Sequence, residues 1–315
     1  MPGLKNKEIP FISAIFPNYN GGEFILETIK SLLESAYPYS CLEIIMVDNR
    51  STDESCSLVK SHFANQIKEG KIKLIELNRN AGAPYAYNMG IKMAKADYDF
   101  ILKIDNDLIV EADCINELLK PFFDSPDIGV TGGKVFYYSQ KERLHLIGSR
   151  ISPFFAGGRG VGKYRIDHNK FNVPLYFDAV NGCMMLIKRE VFEKVGLMDE
   201  NYFLYFDDID LSLRATNAGF KHFYCYKARA YHNTATPNKR FQSKRWLRYA
   251  IYNSFYFMKK NYKGMDVFIF FLAINLNMAR YIAGVILNNK FNMCKNLLNV
   301  IFSSYADGLV LFLKK

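Results

Sequence analysis

The 315-residue sequence predicts an α/β protein: a mostly parallel sheet flanked by helices, followed by a helical, apolar C-terminal extension. Two observations predict it. Short apolar runs alternate with helix-period patterns through residues 11–104, and beyond Asp266 the chain turns apolar over a length that no strand needs.

In order, Phe11–Phe16 reads as a strand, Glu23–Ser35 as a helix and Leu42–Val47 as a strand. Asp53–Ile67 follows as a helix, Lys71–Leu77 as a strand, Ala83–Ala96 as a helix and Phe100–Ile104 as a strand. Alternation at these lengths implies βαβ units in a Rossmann-like sheet. Polar residues collect just after the strands, at Asn18-Tyr19-Asn20, Asp48-Asn49, Asn78–Asn80 and Asp105–Asp107. Ligands of open α/β sheets bind beyond the carboxyl ends of the strands, so these turns are expected to converge on one site. Residues 128–180, rich in Gly, Phe and Tyr, show no clear period. Helices are expected near Arg189–Val195 and over Asp207–Asn217, then a strand over Phe220–Tyr224. The chain thus divides into a first part, 1–235, with halves meeting near residue 110, and a basic and apolar helical part, 236–315.

The net charge of +10 is uneven. No acidic residue occurs between Leu211 and Met265, a stretch that holds Arg245, Arg248, Lys259 and Lys260 among others. Its plain reading is a solvated surface, but such a block also attracts the phosphates of a nucleotide or an anionic lipid. No zinc-finger spacing, RNA-recognition signature or basic zipper accompanies it, so no nucleic-acid partner is expected. Val267–Leu287 is apolar except for Asn275, Asn277, Arg280 and Gly284. An Arg near the centre of a spanning helix costs about 2.5–3.5 kcal/mol. A helix in or on the membrane interface is therefore favoured over a spanning helix or a soluble core helix, with nearby Lys and Arg adding about 1 kcal/mol each near anionic lipid. The six cysteines lack any C-x-x-C pair and read as reduced core residues rather than metal ligands. Met1–Pro10 holds no apolar run before a cleavage site, so a cytoplasmic protein, peripheral on that face of the membrane, is expected.

Chemistry concentrates in a few places. Lys103-Ile104-Asp105-Asn106-Asp107 leaves a strand with two carboxylates one residue apart. One can meet a divalent cation and the other a ribose or sugar hydroxyl, and hard oxygens suit Mg²⁺ or Mn²⁺ bridging a diphosphate. Asp48 ends a strand, where its carboxylate can accept bonds from a base such as uracil, whereas Asp53 is accounted for by a helix N-terminus. In Asn78–Pro84, Gly82 permits a close approach or a positive φ, and the helix start beyond it, before Tyr87-Asn88, offers N–H groups to anions. Asp207-Asp208-Ile209-Asp210 opens a helix behind the aromatic run Phe203–Phe206. Those acids answer the helix dipole, or else hold a general base raised from about 3.9 towards neutrality. His232, past a strand, can give a neutral imidazole to the cation of Asp107. Gly157–Lys163 lacks the Ser or Thr and the position of a phosphate-binding loop, and reads as a mobile loop closing over an acceptor.

Taken in order, these pieces resemble the inverting family 2 glycosyltransferases, in particular the branch of rhamnosyl- and galactofuranosyl-transferases. The resemblance covers about Ile12 to Lys260. It rests on Pro17-Asn18-Tyr19-Asn20, Asp48–Ser55, Asn80–Gly90, Asp105-Asn106-Asp107, Asn181-Gly182-Cys183-Met184-Met185, Gly196–Glu200, Asp207–Leu211 and His232. It implies a glycosyltransferase A fold with a nucleotide half (about 1–110) and an acceptor half (about 111–235). Pro17, Tyr19, Asp48, Asn80, Gly82 and Asn88 would lie near the donor nucleotide and Asp105 at its ribose or sugar. Asp107 and His232 would ligate Mg²⁺ or Mn²⁺. Asp208 would be the catalytic base beside Asp207, with Asn181 and Gly182 towards the acceptor, and Asp207 and Asp210 would position the acceptor or the helix. The implied reaction is a single in-line displacement from a nucleotide diphosphate sugar onto a hydroxyl of a glycan or lipid-linked acceptor. Two rivals stay open. A sugar nucleotidyltransferase would normally carry a basic Gly-rich loop where Pro17–Gly22 stands, and a non-catalytic sugar- or lipid-binding protein could use the same fold.

Overall fold

The computed structural model describes residues 9–234, 244–287 and 291–314. Strands β1 (Ile12–Asn18), β2 (Leu42–Asp48), β3 (Ile72–Glu76) and β4 (Phe100–Ile104) lie in the order β3-β2-β1-β4, all parallel. β2 and β4 are buried at every residue, which is why they read as apolar runs without alternation. Helices α1 (Phe24–Leu33) and α4 (Ala83–Met93) cover opposite faces, Ile25 and Ile29 meeting one core, Tyr87 and Ile91 the other. The helix expected over Asp53–Ile67 is two, α2 (Ser55–His62) and α3 (Ala64–Lys68). The break falls where Phe63, at φ −117° and ψ 29°, turns to pack on the core.

The second half begins with β5 (Leu108–Val110), α5 (Cys114–Leu119) and α6 (Pro121–Asp124). The region expected to lack a period then forms β6 (Ile128–Tyr137), β7 (Gln140–Leu146), β8 (Gly148–Ser152), β9 (Gly157–Val161) and β10 (Leu175–Phe177). β6 is buried at every residue, so there was no alternation to read. The expected mobile loop at Gly157–Lys163 is overturned over its first five residues: they are β9, paired antiparallel with β8. The missing side chains of Gly157 and Gly158 let Phe206 and Ile209 pack directly on that strand.

Next come β11 (Met184–Lys188), α7 (Arg189–Val195), α8 (Asp207–Asn217) and β12 (Lys221–His232). Both helices keep their expected bounds. The strand expected over Phe220–Tyr224 runs on to His232, with Lys227 and Arg229 turned outward and Ala228 and Ala230 buried. β11 sits antiparallel between β4 and β6, β12 runs parallel to β6, and the sheet reads β10-β12-β6-β11-β4-β1-β2-β3. β5 joins the end of β12 and β7 joins β6.

Helices α9 (Lys244–Asn261), α10 (Met265–Leu287) and α11 (Phe291–Leu313) form the extension. They share a core with the sheet part through Tyr202, Phe255, Phe257, Phe270 and Ile274. Asn253 on α9 donates to the carbonyls of Leu204 (2.8 Å) and Tyr205 (3.0 Å), and Lys260 pairs with Asp199 (2.7 Å). Among the described residues one helix is long and apolar enough to cross a membrane, Met265–Ala283, and Phe268, Leu272 and Leu276 on it are exposed. The boundary expected near residue 235, the basic residues Lys239 and Arg240, and residues 1–8 of the N-terminal segment lie outside the described residues.

Candidate active site

The ends of β1 and β2 are tied together first. Asn18 Nδ2 donates to Asp48 Oδ1 (2.8 Å) and Ser55 Oγ (2.8 Å), and the backbone N–H and hydroxyl of Ser51 bond the same carboxylate. Beside them Asn49 Nδ2 donates to the Gly82 carbonyl (3.2 Å). Gly82 has φ +92°, and a β-carbon there would stand 2.6 Å from the Phe203 carbonyl oxygen. Only glycine allows that turn to close against Phe203.

Past β4, the Tyr87 hydroxyl donates to the Ile104 carbonyl (2.7 Å) and reaches Asp105 Oδ1 at 3.2 Å. β5 pairs antiparallel with the end of β12, with Leu108 opposite His232. This register places His232 Nε2 at 2.8 Å from Asp107 Oδ1 and 3.5 Å from Asp105 Oδ2. Burial alone would lower the His232 pKa, but the Asp107 carboxylate and the Cys183 thiol outweigh it and hold the imidazole well above its ordinary range. Desolvation in the cleft raises Asp105, with Lys103 and His232 pulling the other way. Asp105, Asp107 and His232 each offer a ligand atom, all within 4.8 Å of one another. Two hard carboxylate oxygens and an imidazole fit Mg²⁺ or Mn²⁺, at the cost of the imidazolium proton.

Just before α8, Tyr205 (φ +67°) and Phe206 (φ +71°) take consecutive left-handed conformations. Bulky side chains rarely adopt them, and the strain turns the start of α8, with Asp207 and Asp208, into the cleft. Burial pushes the Asp207 carboxyl up to about 7, opposed by Lys103 and reinforced by Asp208 and Asp105. Asp208 rests directly on Gly182, where a β-carbon would stand 1.9 Å from its Oδ2. The Gly182 carbonyl in turn accepts from Lys103 Nζ (2.6 Å), whose ammonium lies 4.3 Å from the centre of the Tyr87 ring.

These elements enclose a polar cleft of about 620 Å³. Of the candidate residues, Pro17, Tyr19, Asn80, Gly82, Asp105, Asp107, Asn181, Gly182, Asp207, Asp208 and His232 all line it. Asp48, Asn88 and Asp210 do not. Expected at the donor or the acceptor, these three make side-chain bonds within the protein. Asp48 sits in the Asn18–Ser51 network, and Asn88 bonds Met198 and Glu200. Asp210, 0% exposed, pairs with Arg214 and Lys260.

The cleft also holds Arg245, expected only as part of the basic block, and Lys103, His145 and Trp246, for which the sequence suggested no role. Lys103 left a signal, a lysine inside the apolar run Phe100–Ile104. His145 left none: it arrives on β7, its ring edge-on to His232 with centroids 4.8 Å apart. Cys183 is buried as expected, yet its thiol joins His145 and His232 in a second group of possible ligand atoms within 4.8 Å.

The α/β sheet, with its D-x-D at a strand end and the Asp207–Asp208 pair lining the same cleft, is a glycosyltransferase A fold. The sequence profile described as Glycosyl transferase family 2 matches residues 13–196, more than half of the chain. The chain belongs to that family and is a glycosyltransferase. It is 29% identical over 242 residues to an uncharacterized glycosyltransferase of Rickettsia typhi, covering 74% of this chain and 68% of the relative. It spans less of other relatives: 28% of an uncharacterized protein of Sinorhizobium fredii and 58% of the glycosyltransferase GlyG of Streptococcus pneumoniae. In fold it is similar to GalNAc-T7, solved with UDP, GalNAc and Mn²⁺ (TM-score 0.61, 17% identity, 81% of this chain and 51% of that one). It is also similar to the mannosyltransferase PcManGT of Pyrobaculum calidifontis, solved with GDP-Man and Mn²⁺ (TM-score 0.60, 15% identity, 98% and 88%).

Proposed function

We propose that this glycosyltransferase moves a hexosyl or deoxyhexosyl group, with inversion, from a nucleoside diphosphate sugar to a hydroxyl of a glycan or lipid-linked acceptor, in the manner of the rhamnosyl- and galactofuranosyl-transferase branch. The observation that carries it is the shared cleft, which Asp105, Asp107, His232 and Asp208 all line. Asp208 accepts the proton of the acceptor hydroxyl as that oxygen attacks the anomeric carbon, and the nucleoside diphosphate leaves from the opposite side. Asp107 and His232, with Asp105 beside them, would hold Mg²⁺ or Mn²⁺, which supplies charge neutralisation for a diphosphate when bound. Tyr87 orients Asp105, and Lys103 holds the Gly182 carbonyl so that Gly182 stays against Asp208. On the donor side Asp48, bonded to Asn18 and Ser51, fixes the β1 and β2 ends where a nucleotide base would lie.

The test is product analysis with a panel of donors and acceptors. Nucleoside diphosphate release is expected, abolished in folded Asp208→Asn and Asp107→Ala. Pyrophosphate release would mean a nucleotidyltransferase, and a donor bound but never consumed would mean a binding protein.

The exposed Phe268, Leu272 and Leu276 stripe and the basic α9 support a peripheral place on the cytoplasmic face of a membrane, with residues 236–315 as the attachment region. Co-sedimentation with anionic but not zwitterionic vesicles tests it, and full recovery in the soluble fraction at low salt overturns it.

A further inference from the structure

A second cavity opens beside the polar cleft. It is a groove of about 370 Å³ between β9, α8, α9 and α10, lined among others by Phe206, Ile209, Ala250, Ile251 and Met278. That volume is within the range of small-molecule sites, and its lining is almost entirely apolar. Trp246, the single tryptophan of the chain, lines both the groove and the cleft. Phe206, at the groove, immediately precedes Asp207.

On the α9 side of the junction the charge is one-sided. Arg245 lines the cleft with its guanidinium 6.0 Å from the centre of the Tyr19 ring. Lys244, Arg245 and Arg248 are exposed, without an ion-pair partner among the described residues, and α9 carries no acidic residue from end to end. A hydrocarbon-lined groove that shares Trp246 with a cleft holding both a cation and a carboxylate able to take a hydroxyl proton is the complement of one kind of molecule: an apolar chain joined through phosphate to a hydroxyl-bearing head. A water-soluble glycan would leave the groove unused, and a bare bilayer lipid would have no reason to meet Asp208.

We infer that the groove is the subsite for the hydrocarbon chain of a lipid-phosphate-linked acceptor, with the phosphate at Arg245 and the glycan hydroxyl at Asp208. The inference rests on the cleft being the transfer site.

Trp246 makes the test direct. Farnesyl phosphate, titrated into the full chain, should change its fluorescence saturably, and farnesol should bind more weakly. Ala250→Phe, which fills the groove from α9, should weaken farnesyl phosphate binding about tenfold or more. Asn277→Phe, at an exposed position lining the same groove from α10, should do the same and guards against misfolding of the first variant. Arg245→Ala should weaken farnesyl phosphate about threefold to tenfold and leave farnesol unchanged. An unchanged emission, or wild-type affinity in both filled variants, overturns the inference. So does an equal, Ala250-sensitive response to phosphatidylcholine vesicles alone, which would assign the groove to the bilayer. Thermal stabilisation by UDP, GDP or dTDP with Mn²⁺, measured on the same samples, reports the cleft separately. Stabilisation without a groove response refutes only this inference. A groove response without stabilisation by any nucleotide refutes the transfer reading and leaves the lipid site standing.

Discussion

Replacing Gly182 by alanine tests the assignment of the base without touching a charged residue. The added β-carbon would stand 1.9 Å from Asp208 Oδ2 and 2.6 Å from its Cγ, and real β-carbons essentially never approach closer than 3.0 Å. The carboxylate must therefore move by more than an ångström. Gly182 has no left-handed φ, so alanine strains no backbone there, and the displaced group is a side chain. The fold should survive while the geometry of proton transfer does not. A misplacement of about 1 Å at a reacting group costs on the order of 100-fold in rate, about 2.7 kcal/mol of barrier. We expect kcat to fall by about that factor, with KM for the donor nearly unchanged and a melting temperature close to that of the parent. Nucleoside diphosphate release in steady state measures the first two, and thermal unfolding the third. In the Asp208→Asn background the same substitution should cost little more, because the group it displaces no longer acts as a base. A folded Gly182→Ala variant within about threefold of the parent kcat would refute Asp208 as the base.

Other outcomes follow from the same geometry. Asp207 holds its proton to about pH 7 in the folded state against an ordinary 3.8, so its own contribution to folding stability is full below about pH 4 and is lost as pH rises to 7. Asp207→Asn should flatten that decline, by up to a few kcal/mol, and parallel pH–stability curves for the two proteins would count against it. Chelation by EDTA should abolish transfer and added Mn²⁺ restore it, while Asp107→Ala and His232→Ala lose the Mn²⁺-dependent stabilisation by nucleotide. Undiminished stabilisation in both variants would remove these residues from the cation site. Asn253→Ala strands the Leu204 and Tyr205 carbonyls that anchor the strained turn before Asp207, costing about 1–3 kcal/mol of stability and lowering kcat. A drop in stability with kcat unchanged would show that α9 does not position the catalytic turn.

The division between sequence and structure follows the range of the forces involved. The βαβ order, the bounds of α7 and α8, and many of the residues that line the cleft were readable, because hydrophobic period and strand-end polarity are local properties. The split at Phe63 and the strand status of Gly157–Val161 were not, since each depends on what packs against it from far along the chain. The same limit governs the site. Asp107 and His232, expected on one cation from the sequence, stand 125 residues apart, and the contact itself is made by the register of β5 on β12, which no local pattern encodes. His145 enters through the β6–β7 pairing, and Trp246 and Arg245 through the docking of α9. Composition marked Asp48, Asn88 and Asp210 as polar residues in the right motifs. Tertiary structure alone decided that their polar atoms turn inward, where unpaired carboxylates and amides would be costly, leaving the cleft to their neighbours.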